Sequence, residues 1–156
     1  MEEGWLERRQ RREARVREKA DAEKARLDDQ LAGLMKKVQL DHLLELRRGQ
    51  GQGHPSSSAQ RRGALDVCRD WGEALSGGEK QRLSMARLYY NHPIIAFLDE
   101  CTSAVSEEVE DSLYEGCAEL DITLVTVSHR VSIRKHHDVE LRLLGGGKYE
   151  VHRITK

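Results

Sequence analysis

Three short stretches of this 156-residue sequence combine residue types and spacing that could do chemistry: Ser76-Gly77-Gly78-Glu79, Asp99-Glu100 and Ser128-His129-Arg130. A serine and two glycines at the start of a helix leave backbone N–H groups uncovered, with the positive end of the helix dipole behind them. That arrangement receives phosphate. Alone, Ser-Gly-Gly is equally a loop running into an ordinary helix cap. Asp99 and Glu100 close an apolar run, Ile94–Leu98. A carboxylate at the end of a buried strand can hold Mg2+, usually through water. A second carboxylate beside it can orient or deprotonate an attacking water. Two acids ending a strand are more often simple caps, and a lone histidine after a strand is more often a turn residue. Their order along the chain argues otherwise: phosphate-type loop, helix, acidic strand end, helix, strand, histidine.

The positioning elements are legible from pattern. Ser76 opens a helical stretch to about Tyr90, which Pro93 ends. Ile94–Leu98 reads as a buried strand. Ser106 is a suitable N-cap, with Glu107 and Glu108 in the first turn complementing the dipole. The helix that follows places Val109, Leu113, Cys117 and Leu120 on one face. Ile122–Val127 is β-branched and strand-like, and Val139, Leu141 and Leu143 alternate up to Gly145-Gly146-Gly147, a terminal β-hairpin. Such alternation of helix and strand argues for an α/β layered sheet.

Upstream the texture differs. Residues 1–26 are dominated by Arg, Glu, Lys and Ala, a charged helical extension with no apolar stripe to bury. Leu27, Leu31, Leu34, Met35 and Val38 share one helical face, and Leu40, Leu43, Leu44 and Leu46 supply a second short apolar helix; 27–46 is packing structure. Residues 47–63, rich in Gly, Gln and Ser, form a linker, and 64–156 carry the α/β part. The phosphate-loop pattern G-x-x-x-x-G-K-[ST] occurs nowhere in the chain.

Composition bounds the rest. Lys plus Arg (26) nearly balance Asp plus Glu (27), so charge makes no case for a nucleic-acid partner. No apolar run approaches the roughly 20 residues that span a bilayer, and Met1–Arg9 lacks the apolar core of a secretory signal. Cys68, Cys101 and Cys117 fit neither a zinc spacing nor a disulfide framework. The chain alone reads as soluble and cytosol-facing.

Asp70-Trp71, Leu75-Ser-Gly-Gly-Glu-Lys-Gln-Arg82, Met85-Ala86-Arg87, Tyr89–Pro93, Leu98-Asp-Glu-Cys-Thr-Ser-Ala-Val-Ser106 and Ser128-His129-Arg130 resemble ABC transporter subfamily D. These are peroxisomal half-transporters of long-chain fatty acids and their CoA esters. Ser103-Ala104-Val105-Ser106 stands where most ABC proteins read Ser-Ala-Leu-Asp. The similarity covers residues 64–156 well and 27–46 loosely. It implies part of an ABC-type P-loop NTPase domain: a helical-subdomain piece, the C-terminal half of the sheet core and a terminal hairpin, preceded by a charged helix. It implies ATP and Mg2+ as cofactors. Ser76, Gly77, Gly78 and Glu79 would meet ATP held by an opposing domain, Asp99 would support Mg2+ through water, and Ser103 would lie in the D-loop. Glu100 would act on the water, and His129 would sense the γ-phosphate. Implied partners are a second nucleotide-binding domain, in a homo- or heterodimer, a transmembrane domain, and fatty acyl-CoA as cargo. The implied location is the cytosolic face of the peroxisomal membrane.

The Walker A residues, glutamine loop, adenine-stacking aromatic and transmembrane helices of that family are not in this sequence, as in a partial gene product. Two other readings compete. One is the ATPase half of an SMC-type DNA-maintenance protein, but residues 1–46 do not sustain the heptads that a coiled coil requires. The other is a non-catalytic partner of an intact half-transporter. Because the nucleotide must be anchored by other residues, the 156-residue chain alone is expected to bind Mg-ATP weakly and show no turnover. Steady-state hydrolysis by the purified chain, abolished by Glu100→Gln, would overturn that expectation.

Overall fold

The computed structural model describes residues 3–45, 65 and 70–155, with side chains from residue 9 onward. The linker expected at 47–63 lies outside the described residues. The chain divides into two units, Met1–Gly33 with Asp41–Cys68, and Leu34–Leu40 with Arg69–Lys156.

In the first unit, helix α1 (Glu3–Lys37) forms by propensity rather than by burial. Its side chains from Arg9 to Leu27 are exposed. Pairs such as Arg9–Glu13, 2.9 Å apart one turn on, add only about 0.3–0.5 kcal/mol each. The helix continues unbroken past residue 26, through the segment expected to pack. The one-turn helix α2 (His42–Glu45) also belongs to this unit.

The second unit begins in the last turn of α1, at Leu34. Gln39 adopts φ +58°, and the N–H of Leu40 reaches back to the Met35 carbonyl at 2.7 Å. This closure turns Val38 and Leu40 inward, where both are fully buried. Asp70 caps the short helix α3 (Trp71–Ala74), accepting from the N–H groups of Gly72 and Glu73. Helix α4 (Gly77–Asn91) follows and ends at His92, whose left-handed backbone precedes Pro93. Strand β1 (Ile95–Asp99) leads to helix α5 (Glu107–Glu119), then to strand β2 (Thr123–Val127). Ser106 takes the N-cap position of α5 but makes no side-chain cap bond, so the acidic first turn is what complements the dipole there. A 3-10 turn (Ser132–His136) leads to the hairpin of β3 (Val139–Gly145) and β4 (Lys148–Arg153). Gly145, Gly146 and Gly147 all have positive φ, which such a turn requires.

β1 and β2 pair in parallel, with Ile95 opposite Thr123 and Asp99 opposite Val127. Parallel strands need a crossover, and α5 supplies it. The two pairs form separate two-stranded sheets among the described residues. The core lies where α4 and α5 cover one face of β1 and β2: Met85 and Tyr89, Leu113 and Cys117, Ala96 and Leu98. Burying Met85 or Leu113 stabilises the unit by about 1.5–3 kcal/mol each. The Tyr89 hydroxyl donates to the Leu113 carbonyl at 2.7 Å. It can do so because position 116 is glycine: a Cβ there would sit 2.5 Å from that hydroxyl oxygen. Burial pushes the Cys117 thiol up to about 12, so it packs as an inert apolar group.

The expectation of a fully buried strand at Ile94–Leu98 is corrected on one face. Ala96 and Leu98 are buried, but Ile94, Ile95 and Phe97 are exposed, Phe97 to 80%. Val125 and Val127 of β2 are exposed beside them. Sheets of this parallel kind are ordinarily covered on both faces, and here, among the described residues, helices cover one. A cavity of about 510 Å³ separates β2 from β3, lined in part by Val125, Val127, Ile133 and Leu141. An uncovered apolar face of this kind drives association. The chain alone is therefore expected to self-associate in sedimentation velocity, less so with Phe97→Ser. A monomeric, sharply melting wild-type chain would contradict this.

Candidate functional site

The α4 N-terminus is built by a capping box. The Ser76 hydroxyl oxygen accepts from the Glu79 N–H at 3.3 Å, and the Glu79 carboxylate accepts from the Ser76 N–H at 2.8 Å. The Ser76 hydroxyl also donates to that carboxylate at 2.6 Å. Glu79 thus serves the cap, and the first-turn N–H groups of Gly77 and Gly78 are those a phosphate would meet. Gly78 has a second task. Its missing Cβ would lie 2.8 Å from the Ala104 carbonyl oxygen, so glycine lets α4 dock flush on the turn after β1.

At the end of β1, Asp99 is exposed and Glu100 half-buried. Glu100 adopts φ +46°, a left-handed conformation that costs a non-glycine residue about 1–2 kcal/mol. The bend sends its N–H to the Val127 carbonyl at 3.0 Å, extending the β1–β2 ladder by one rung. It also turns the Glu100 side chain toward the end of β2, where Oε1 accepts the His129 N–H at 3.2 Å. The His129 imidazole is fully exposed, with Nε2 3.8 Å from that same Oε1. The structure therefore brings Glu100 and His129 together at adjacent strand ends. Asp99 stands beside them without a cluster: among the described residues no group of three or more His, Cys, Asp or Glu could hold a metal. A Mg2+ near Asp99 would have to take its ligands from phosphate and water, which suits a cation that dehydrates reluctantly.

Four residues that hold this site were given no role from sequence: Gln81, Thr102, Glu110 and Arg130. The Gln81 amide donates to the Glu100 carbonyl at 3.0 Å and to Ser103 Oγ at 2.9 Å, and accepts the Ala104 N–H at 2.8 Å. Ser103 Oγ itself donates to the Glu100 carbonyl at 3.0 Å. On the far side, the Arg130 guanidinium donates to the carbonyls of Thr102 (3.1 Å) and Val105 (3.0 Å). It also donates to the Glu110 carboxylate at 2.9 Å. Glu110 is fully buried and accepts further from Thr102 at 2.7 Å and Ser132 at 2.5 Å. Burial would raise its pKa, but hydrogen bonds from Ser132, Arg130 and Thr102 outweigh that and hold it below the ordinary glutamate value. A signal for Glu110 was available. It lies three residues before Leu113 and seven before Cys117, a charge on the buried face of a helix.

The ABC transporter family profile matches residues 5–103, well over half of the chain. The chain belongs to the ABC transporter family. Its α/β fold is accordingly a piece of the P-loop NTPase domain of that family. "ATP-binding cassette sub-family D member 3" of Rattus norvegicus is 48% identical over 139 residues, 88% of this chain and 19% of that protein. "ABC transporter D family member 2" of Dictyostelium discoideum is 52% identical over 100 residues, 64% of this chain and 14% of that protein. The human "Lysosomal cobalamin transporter" is 48% identical over 101 residues, 64% of this chain and 17% of that protein. The chain thus spans about a fifth or less of the curated relatives it matches. Among the described residues of this ABC family member, no helix is long and apolar enough to cross a membrane.

The buried carboxylate makes a pH prediction. The Glu110 pKa is lower in the folded chain than in the unfolded one, so its stabilisation is complete above the unfolded value near 4.5 and is lost as pH falls through the folded value. Removing one member of a buried pair costs about 3–5 kcal/mol. Arg130 keeps 31% of its side-chain surface exposed, which lowers the expected cost of Glu110→Gln to about 2–3 kcal/mol at pH 7. Thermal melts at a dilution where the chain is monomeric should show the two proteins converging below pH 4. An equal gap at pH 7 and pH 3.5 would count against this assignment.

Proposed function

We propose that this chain serves as the signature and Walker B part of an ABC nucleotide-binding domain that couples ATP binding and hydrolysis to transport. The observation carrying it is that Glu100 and His129 meet at the ends of paired parallel strands, while Gly78 fastens the phosphate-facing end of α4 to the loop that follows Glu100. ATP is the substrate. In a head-to-tail pair of such domains, the N–H groups of Gly77 and Gly78 and the Ser76 hydroxyl face the γ-phosphate of a nucleotide anchored by the partner. Seating the phosphate there requires Ser76 to exchange part of its bond to Glu79 for one to the nucleotide. Asp99 would support Mg2+ through water on this chain's own side. The Glu100 carboxylate accepts a proton from the attacking water. The His129 imidazole, exposed and 3.8 Å away, is placed to hydrogen-bond the transferring phosphoryl group. Ser103 orients the Glu100 carbonyl from the D-loop.

The finer reading is a half-transporter of long-chain fatty acids or their CoA esters at the cytosolic face of the peroxisomal membrane, working with a second nucleotide-binding domain and a transmembrane domain. Its support is the subfamily D resemblance: member 3 matches over 88% of the chain and the cobalamin transporter over 64%. Acyl-CoA uptake by vesicles bearing the assembled transporter tests it, with cobalamin as the competing cargo.

The half-site logic gives an asymmetric expectation. Mixed with an intact subfamily D nucleotide-binding domain, this chain completes one ATP site through its signature loop. The other site, holding Asp99, Glu100 and His129, lacks a phosphate loop within these residues. Ser76→Arg should therefore abolish stimulation of the partner's turnover, whereas Glu100→Gln should leave it nearly unchanged. Equal loss from both substitutions, with binding to the partner intact, would overturn the asymmetry.

A further inference from the structure

Gln81 lies one turn along α4 from Gly77 and Gly78, on the face that meets the Thr102–Val105 turn. Its carboxamide has one acceptor oxygen and two donor hydrogens, and all three are used in one direction. The oxygen takes the Ala104 N–H at 2.8 Å; the nitrogen gives one hydrogen to the Glu100 carbonyl at 3.0 Å and the other to Ser103 Oγ at 2.9 Å. Ser103 Oγ closes the ring by donating to the Glu100 carbonyl. Gly78, one turn back, is pressed against the Ala104 carbonyl, so α4 has no room to slide over the turn. The turn cannot retreat either, because Arg130 holds the carbonyls of Thr102 and Val105 from the opposite side. The same backbone includes Glu100, whose left-handed conformation aims the carboxylate at His129.

We propose that Gln81 is a positioning residue that locks the Glu100 backbone and the Thr102–Val105 turn to the phosphate-facing end of α4. A phosphate seated at Ser76–Gly78 is thereby felt at the Glu100–His129 pair. The inference deepens the reading of the α4 N-terminus as an ATP contact and rests on it. In this arrangement Gln81 touches no nucleotide. It transmits position through Glu100 and Ala104, linking the site that this chain completes for its partner to the carboxylate that serves its own side.

Amide hydrogen exchange, read residue by residue, tests it in two arms. On the full chain without nucleotide, Gln81→Ala should speed exchange at Ala104 by roughly tenfold relative to the α4 core. Gln81→Glu keeps an acceptor oxygen for that N–H and should preserve its protection, while facing the Glu100 carbonyl with a second acceptor and loosening Ser103. Unchanged Ala104 exchange in Gln81→Ala overturns the proposal outright, whatever the nucleotide does. In the second arm the full chain is paired with an intact subfamily D nucleotide-binding domain and Mg-ATP is added. In the unmutated chain, exchange should slow both at Ser76–Glu79 and at Glu100–Ala104. In Gln81→Ala it should slow only at Ser76–Glu79, a split that uniform destabilisation does not produce. Slowing at both stretches in Gln81→Ala overturns the proposal and leaves the phosphate reading standing. No slowing at Ser76–Glu79 in the unmutated chain overturns both together.

Discussion

A carboxylate out of reach of solvent, on a helix that otherwise packs apolar groups, is the constraint around which the second unit is arranged. Glu110 cannot stay ionised there unless its oxygens are saturated by donors. The donors come from three separate places: Thr102 in the turn after β1, Arg130 after β2, and Ser132 at the 3-10 turn. Satisfying one buried charge therefore fixes the ends of both strands relative to α5. Arg130 also donates to two carbonyls of the same turn, those of Thr102 and Val105. Asp111, the next residue, repeats the device at the surface. Lys135 and then His136 bond it and hold its pKa below the usual aspartate range, tying the 3-10 turn to α5.

On this frame, the reacting groups need little of their own structure. Glu100 and His129 approach one another because their strands are adjacent and in register, so that the residues following Asp99 and Val127 emerge side by side. The left-handed backbone at Glu100 is tolerated because three partners over-determine it: the Val127 carbonyl, the Gln81 amide and the Ser103 hydroxyl. Strain held by surrounding bonds is a recurrent property of sites that must keep one side chain aimed.

The sequence disclosed those parts whose meaning lies in local pattern. The helix start at Ser76, the stop at Pro93, the helix after Ser106 and the glycine hairpin follow from residue types within a few positions of one another. Parts that depend on which atoms meet across the fold were not legible. Gln81 and Arg130 stood inside motifs used for recognition, yet nothing local tells a glutamine that its partners are 19 to 23 residues away. The strand at Ile94–Leu98 misled in the opposite sense. Its composition suits burial on both faces, but only alternate residues find cover here, since composition records what a strand can tolerate and not what lies against it.

Two helix glycines, Gly33 and Gly116, show how unequal identical residues are under sequence drift. At Gly33 a Cβ would meet nothing within 4 Å, and alanine would relieve a helix of its least favourable ordinary residue, by about 1 kcal/mol. At Gly116 the same added methyl would press on the Tyr89 hydroxyl oxygen and ring, both within 3 Å. The spacing of α4 and α5 is thus set by the absence of a single carbon. Variation can accumulate freely along the charged helix, while the seam between the two core helices admits almost none.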